Sequence, residues 1–305
     1  MSNCIGLIQV YFGELPSYFG LFINSVVNKP FDLLFFSDNE KPEHLPLNVF
    51  WFQTNLGCIK ELFDAKLNLD VMLNNPYKLC DYKPSYGLVF SSYIQQYEFW
   101  GTIDIDTIVG DFSQFITTER LSNLDVYSGV KEYLSGSFFI FRNNGICNTL
   151  FQKSRDWKIV FSCEKHLAFD ECGGHYYEQL KSGKSIFEIG TPIQTMTEIL
   201  FLEERKGLRV LWTDDILEPK GLDSVSIQQQ KVEYNKRTYV LLHLIYFKTR
   251  YYFYVNQSLK TPYFVNSCGM FKKQPTRFNY VGSKNFLVAF KRKIKNGFVK
   301  MGLVK

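Results

Sequence analysis

Tyr97-Glu-Phe-Trp-Gly-Thr-Ile-Asp-Ile-Asp-Thr-Ile-Val-Gly-Asp111 is the stretch on which the fold turns. An aromatic and β-branched run enters it and predicts a buried strand. The run ends in two carboxylates, Asp104 and Asp106, one residue apart. On a strand, residues i and i+2 project to the same face. Two acidic side chains there are costly to bury without a partner. A hard divalent cation is the usual partner, because it takes oxygen ligands and bridges to phosphate. The pattern therefore predicts a metal–diphosphate site at the C-terminal edge of an α/β sheet, where ligands bind in such sheets. A strand-end turn with solvated aspartates is the other reading, since a bare D-x-D is common.

Upstream, Ile5-Gly-Leu-Ile-Gln-Val-Tyr-Phe-Gly13 predicts a first buried strand ending at a glycine turn. Residues 16–27 have helical spacing, with Pro16 near the start where it is tolerated. Residues 31–38 and 47–52 predict a second and a third strand, and residues 55–67 an amphipathic helix. This alternation indicates a parallel α/β sheet. A helical stretch precedes the D-x-D strand. Beyond it, residues 124–128, 137–142 and 208–212 read as strands and residues 144–157 as a helix. Residues 232–236 and 238–247 read as strands around a turn. There is no G-x-G-x-x-G after the first strand and no G-x-x-x-x-G-K-[ST] anywhere, which argues against a dinucleotide fingerprint and against a P-loop.

With 305 residues, 46% of them hydrophobic, the chain can bury a sizeable core. No apolar run is long enough to span a bilayer, and Met1-Ser-Asn-Cys-Ile lacks the basic start of a signal peptide. Seven cysteines at irregular spacing suit free thiols in a reducing compartment. The expected location is the cytoplasm. The net charge of +5 hides an asymmetry: residues 231–305 hold 16 Lys or Arg against one acid, Glu233, a net +15, so residues 1–230 carry −10. A basic tail on an acidic body suggests an anionic partner: membrane lipid, nucleic acid or a phosphorylated substrate.

Tyr77-Lys-Leu-Cys-Asp-Tyr-Lys-Pro-Ser-Tyr-Gly87, followed about a helix later by Phe99-Trp-Gly-Thr-Ile-Asp-Ile-Asp106, resembles bacterial GT-A glycosyltransferases. The closer resemblance is to an uncharacterised family of polysaccharide-cluster glycosyltransferases carrying YKLCDYKP and FWG-x-x-D-I-D. It is distantly similar to the D-x-D sugar-binding family as well. It covers roughly residues 5–250 and is most specific over residues 76–111. What it implies is an α/β, GT-A (Rossmann-like) mixed sheet flanked by helices. Residues 1–250 would form the catalytic domain and residues 251–305 a basic C-terminal extension.

The resemblance also implies roles. Mn²⁺ or Mg²⁺ would sit on the D-x-D and meet the diphosphate of a nucleotide sugar, with Asp104 facing the ribose or sugar and Asp106 ligating the metal. His243 would be a third metal ligand and Lys248 a diphosphate contact, although the glycine usual between such a pair is absent. A lone histidine in an apolar strand also reads as a satisfied core residue. Tyr11, Phe12 and Gly13 lie where this fold places the base, and an aromatic there can stack on uracil. Asp38, ending the second strand, can bind base or ribose. Lys83 can contact a phosphate or a sugar hydroxyl with Asp81 orienting it, or the two form a surface ion pair. In His166-Leu-Ala-Phe-Asp-Glu171, Asp170 or Glu171 is an acceptor-binding carboxylate or a general base for the attacking hydroxyl, or part of a helix cap.

Cys163-x-x-His166 and Cys172-x-x-His175 have paired metal-ligand spacing that suits structural zinc, but only five residues separate the pairs, shorter than the usual finger. The tail from Phe286 to Lys305 mixes cations with apolar residues, as segments that lie on anionic membrane do. The expected partners are a nucleotide-sugar donor, UDP-linked above others, a surface-polysaccharide or lipid-linked glycan acceptor, and the inner face of the membrane. No nucleic-acid module is visible. A nucleic-acid-processing protein with Mg²⁺-binding carboxylates and a non-catalytic sugar-binding protein of the same fold are the rival readings.

Overall fold

In the computed structural model, which describes residues 3–220, 223–250, 253, 255–256 and 261–275, the continuous apolar runs form one seven-stranded sheet. Its order is β3-β2-β1-β4-β7-β6-β8. The strands are β1 (Ile5–Tyr11), β2 (Asp32–Ser37), β3 (Val49–Gln53), β4 (Phe99–Ile103), β6 (Val126–Ser128), β7 (Phe138–Arg142) and β8 (Val210–Trp212). β3, β2, β1 and β4 run parallel. β7 is antiparallel to both β4 and β6, and β8 is parallel to β6. The sheet is thus mixed and flanked by helices, in the α/β class expected. Parallel strands are buried on both faces, which is why β1 and β2 read as unbroken hydrophobic runs rather than as alternation. On one face Ile8, Val10, Leu34, Phe36, Trp100, Phe139 and Phe141 join the helical residues Ile59, Phe63, Leu67, Met196 and Leu200 in one core.

The sheet belongs to the first of two compact units, made of residues 1–15, 27–104 and 116–214. Its helix Leu56–Leu67 starts where the Asn55 side chain accepts from Cys58 N, and it ends at Asn68 in the left-handed conformation. The stretch before β4 is not one helix. Residues 76–93 form a chain of short α and 3₁₀ turns, with Pro84 interrupting it. Residues 144–157 likewise break into the turns Gly145–Asn148 and Leu150–Lys153.

The second unit takes residues 16–26, 105–115 and 215–305. It has a three-stranded sheet in the order β5-β13-β9, with β5 at Thr107–Val109, β9 at Ile216–Leu217 and β13 at Leu241–His243. It also has a five-stranded sheet in the order β12-β11-β10-β14-β15. These strands are β10 (Val225–Gln228), β11 (Lys231–Tyr234), β12 (Arg237–Tyr239), β14 (Tyr263–Asn266) and β15 (Gly269–Phe271). The helix Phe19–Ser25 lies here, its Leu21 in a core with Ile108, Leu242 and Phe247. The stretch 97–111 is therefore two strands of different sheets, and the chain passes from one unit to the other after Asp104.

β10 pairs with β14, so one sheet runs through the boundary expected at residue 250. The single strand expected over residues 238–247 is instead β12, β13 and a helical turn Ile245–Lys248. The membrane-associating segment expected from Phe286 lies outside the described residues. Among the described residues no helix is long and apolar enough to cross a membrane.

Candidate active site

In the large sheet the strand order reverses between β1 and β4, and ligands of open α/β sheets bind beyond the carboxyl ends of strands at such a point. The carboxyl end of β1 leads to Phe12 and Gly13, and that of β4 to Asp104. Gly13 has φ +95, which favours glycine. Its N–H donates to both oxygens of Asp38, at 3.0 and 3.3 Å, and its carbonyl accepts from Asn39 Nδ2 at 2.8 Å. Asp38 thus shapes the turn that follows β1. Phe12 is buried in the core, which corrects its expected role as a base platform. Tyr11 is the aromatic left partly exposed at that edge.

Lys83 is buried and its ammonium is shared. It donates to Asp104 Oδ1 at 2.8 Å and to the Gly136 carbonyl at 2.6 Å, and it lies 4.0 Å from Asp170 Oδ2. Burial works against the charge of Lys83, but Asp104 and its other anionic neighbours hold its pKa well above the usual value. The expected pairing of Lys83 with Asp81 is not present. Asp81 is fully buried and accepts from Lys78 Nζ at 2.8 Å, from Leu167 N at 2.9 Å and from Phe169 N at 2.9 Å. The pairing goes to Lys78 because residues 79–82 form a helical turn, and i,i+3 neighbours share a face.

The two backbone donors to Asp81 bracket Ala168, whose φ of +51 is costly for a residue with a Cβ. Such strain persists only where the surroundings over-determine it. The buried Lys78–Asp81 pair does so here, and it fixes the loop that carries Asp170 and Glu171.

Asp170 is 3% exposed. Burial, and next the neighbouring Glu171, raise its carboxyl well above the usual range. That setting favours the protonated carboxyl, the form that can donate a hydrogen bond. Glu171 is engaged too: Oε1 accepts from Gly136 N at 2.9 Å and Oε2 accepts from the Tyr177 hydroxyl. A Cβ on Gly136 would collide with Asp170 Oδ2. Gly136→Ala is therefore expected to cost about 1–3 kcal/mol through overpacking and to push Asp170 out of place. Denaturant unfolding and turnover would be compared. A variant as stable and as active as wild type would show that the contact does not matter.

The zinc reading fails. The His166 ring packs tilted against Tyr77 with centroids 4.7 Å apart, and its Nε2 lies 3.7 Å from Asp81 Oδ1. Cys172 is buried, with its thiol donating to Gly174 O. Among the described residues Cys163, His166, Cys172 and His175 do not converge. His166 groups with Asp81 and Asp170 instead, where the buried ammonium of Lys78, held also by the Val160 and Lys165 carbonyls, cannot turn away from Asp81 to admit a cation.

In the second unit Asp106 is buried, with His243 Nε2 at 3.2 Å and Lys248 Nζ at 2.6 Å from its Oδ2. That oxygen has close cations but no contact with hydrogen-bond angles. Burial opposes ionisation of Asp106, yet His243 and Lys248 hold its carboxyl well below the usual range. His243 is disfavoured as a cation by burial, but Asp106 and Glu218 push its pKa up to about 10. Its Nδ1 meets Glu218 Oε1 at 2.8 Å. No motif marks Glu218, whose partner lies 25 residues away across a parallel strand pair. A buried carboxylate beside an imidazole offers the oxygen and nitrogen ligands that a divalent ion takes, once Lys248, whose ammonium lies 2.6 Å from that oxygen and which is 33% exposed, turns away.

A family model described as "Family of unknown function (DUF6625)" matches residues 7–274. The chain belongs to DUF6625. No curated protein matches it. Among solved structures, this DUF6625 chain is similar to the galactosyltransferase LgtC, solved in complex with donor and acceptor sugar analogues. The identity is 11%, the match covers 70% of this chain and 76% of that one, and the TM-score is 0.37. A likeness at that score says nothing further about this DUF6625 member.

Proposed function

We propose that the protein is a metal-dependent glycosyltransferase of GT-A type that moves a sugar from a nucleotide diphosphate donor, UDP-hexose above others, to a glycan acceptor. The observation that carries this reading is Asp106 Oδ2, a buried carboxylate oxygen with an imidazole nitrogen at 3.2 Å and the Lys248 ammonium at 2.6 Å. Asp106 and His243 are the protein's ligands for Mn²⁺, which imidazole together with carboxylate favours over Mg²⁺. The ion supplies Lewis-acid stabilisation of the leaving diphosphate. Lys248, a cation 33% exposed beside Asp106, is suited to the same diphosphate.

At the switch point of the large sheet, Tyr11 and Gly13 take the base and Asp38 the ribose. Asp104, oriented by Lys83, takes a hydroxyl of the donor. Asp170 donates a hydrogen bond to the acceptor, and Glu171 positions it. The acceptor is a surface-polysaccharide or lipid-linked glycan, and the basic residues after 230 draw the chain to the anionic cytoplasmic face of the membrane.

The test is donor hydrolysis and transfer with a panel of nucleotide sugars, with Mn²⁺ and with EDTA, beside an oligonucleotide titration. Turnover of a UDP-sugar that EDTA stops is the expected result. Tight oligonucleotide binding without sugar release would overturn the reading in favour of a nucleic-acid function.

A further inference from the structure

The three-stranded sheet of the second unit sets a row of side chains across its strands. β9 and β13 pair in parallel, with Ile216 opposite Leu241 and Leu217 opposite Leu242. One step on, the same register sets Glu218 beside His243. On the other side β13 is antiparallel to β5, with His243 opposite Thr107, and Leu244 N donates to the Asp106 carbonyl at 2.8 Å. Glu218 therefore lies beside His243 on one side, and Asp106, one residue before the partner Thr107, lies diagonally from it on the other. Glu218 Oε1 is 2.8 Å from Nδ1, and Asp106 Oδ2 is 3.2 Å from Nε2.

Resting on the metal reading of Asp106 and His243, we infer that Glu218 is the positioning residue that makes His243 a ligand. Its carboxylate accepts the proton of Nδ1 and so fixes the tautomer in which Nε2 presents a lone pair. A neutral imidazole can carry its proton on either nitrogen, and the hydrogen bond made by one decides which is left to bind. Outer carboxylates of this kind also hold the ring plane and raise the basicity of the ligand nitrogen, and removing them lowers metal affinity about 10–100-fold. Glu218 does not reach the ion. It acts through His243, and it directly follows β9, which ends at Leu217.

Mn²⁺ is titrated into the full chain and the free ion is followed by electron paramagnetic resonance, for wild type, Glu218→Met, Glu218→Gln and His243→Ala. Melting curves establish that each variant is folded. Glu218→Met keeps the volume of the side chain but has no acceptor, and about 10–100-fold weaker binding is expected. Glu218→Gln keeps an acceptor oxygen and is expected to lie closer to wild type. If folded Glu218→Met binds Mn²⁺ like wild type while His243→Ala is weakened, the inference is overturned and the metal reading survives. If His243→Ala also binds like wild type, the metal reading fails with it.

Should Glu218→Met not fold, ¹⁵N-histidine labelling of the wild type with Mg²⁺ decides the matter. A protonated Nδ1 at His243 is required, and a protonated Nε2 overturns the inference.

Discussion

Replacing Asp106 by alanine is expected to abolish metal-dependent sugar transfer while leaving the chain folded. Lewis-acid stabilisation of a leaving group is worth several kcal/mol, so losing the direct carboxylate ligand should slow transfer by at least about a hundredfold. The fold should survive for two reasons. The backbone carbonyl of Asp106, which anchors Leu244 N at 2.8 Å, is untouched by the change. His243 also keeps Glu218 as a partner at 2.8 Å, and Lys248, 33% exposed, can turn to water, so neither cation is left stranded. Asp106→Asn, which keeps the shape, should behave like alanine in activity and melt closer to wild type. Sugar release from UDP-hexose is measured with and without Mn²⁺, alongside melting temperature. Undiminished turnover in Asp106→Asn, or full wild-type turnover in EDTA, would refute the metal site.

Asp81→Ala should have the largest effect on stability. The carboxylate is fully buried and satisfies the ammonium of Lys78, itself 2% exposed, together with the N–H groups of Leu167 and Phe169. Removing one partner of a buried pair leaves an uncompensated charge and costs about 3–5 kcal/mol. Lys78 would keep only the carbonyls of Val160 and Lys165, at 2.8 and 2.7 Å. The two bonds that bracket Ala168 would also go, so the loop bearing Asp170 should lose its order. Denaturant unfolding of Asp81→Ala, Lys78→Met and the double variant gives the coupling between them. The double variant should recover part of the loss, because an apolar pair does not strand a charge. A loss below about 1 kcal/mol for Asp81→Ala would place the pair among surface ion pairs, which contribute that little.

What could be read from the chain follows from how local each cause is. β1, β2 and β4 are legible because both of their faces are buried, and that writes itself as an apolar run. The helix Leu56–Leu67 carries its own start signal in Asn55. The pair Asp104 and Asp106 is legible because two carboxylates at the end of such a run conflict with it. The partners of Asp81 are not legible, because Leu167 and Phe169 lie 86 and 88 residues away. Phe12 and Tyr11 are adjacent aromatics, and only the curl of the chain at Gly13 decides which one is buried. The hairpins β10–β11 and β11–β12 turn on Gln229-Gln230 and Asn235-Lys236, all four at positive φ. Two-residue loops of that kind usually announce themselves with glycine, and these do not. The break between β13 and the helical turn Ile245–Lys248 falls inside an apolar run with no Gly or Pro to mark it.

The row Glu218–His243–Asp106 is spaced by backbone pairing rather than by side-chain packing, with adjacent strands about 4.8 Å apart. Insertions and deletions should sort accordingly. Extra residues between Pro219 and Tyr239 lengthen loops and hairpins without moving the row. One residue gained or lost inside β13 turns His243 to the opposite face of the sheet and replaces it with an aliphatic neighbour. In this chain, tolerance of length change is thus governed by position relative to three short strands, and only secondarily by distance from the candidate ligands.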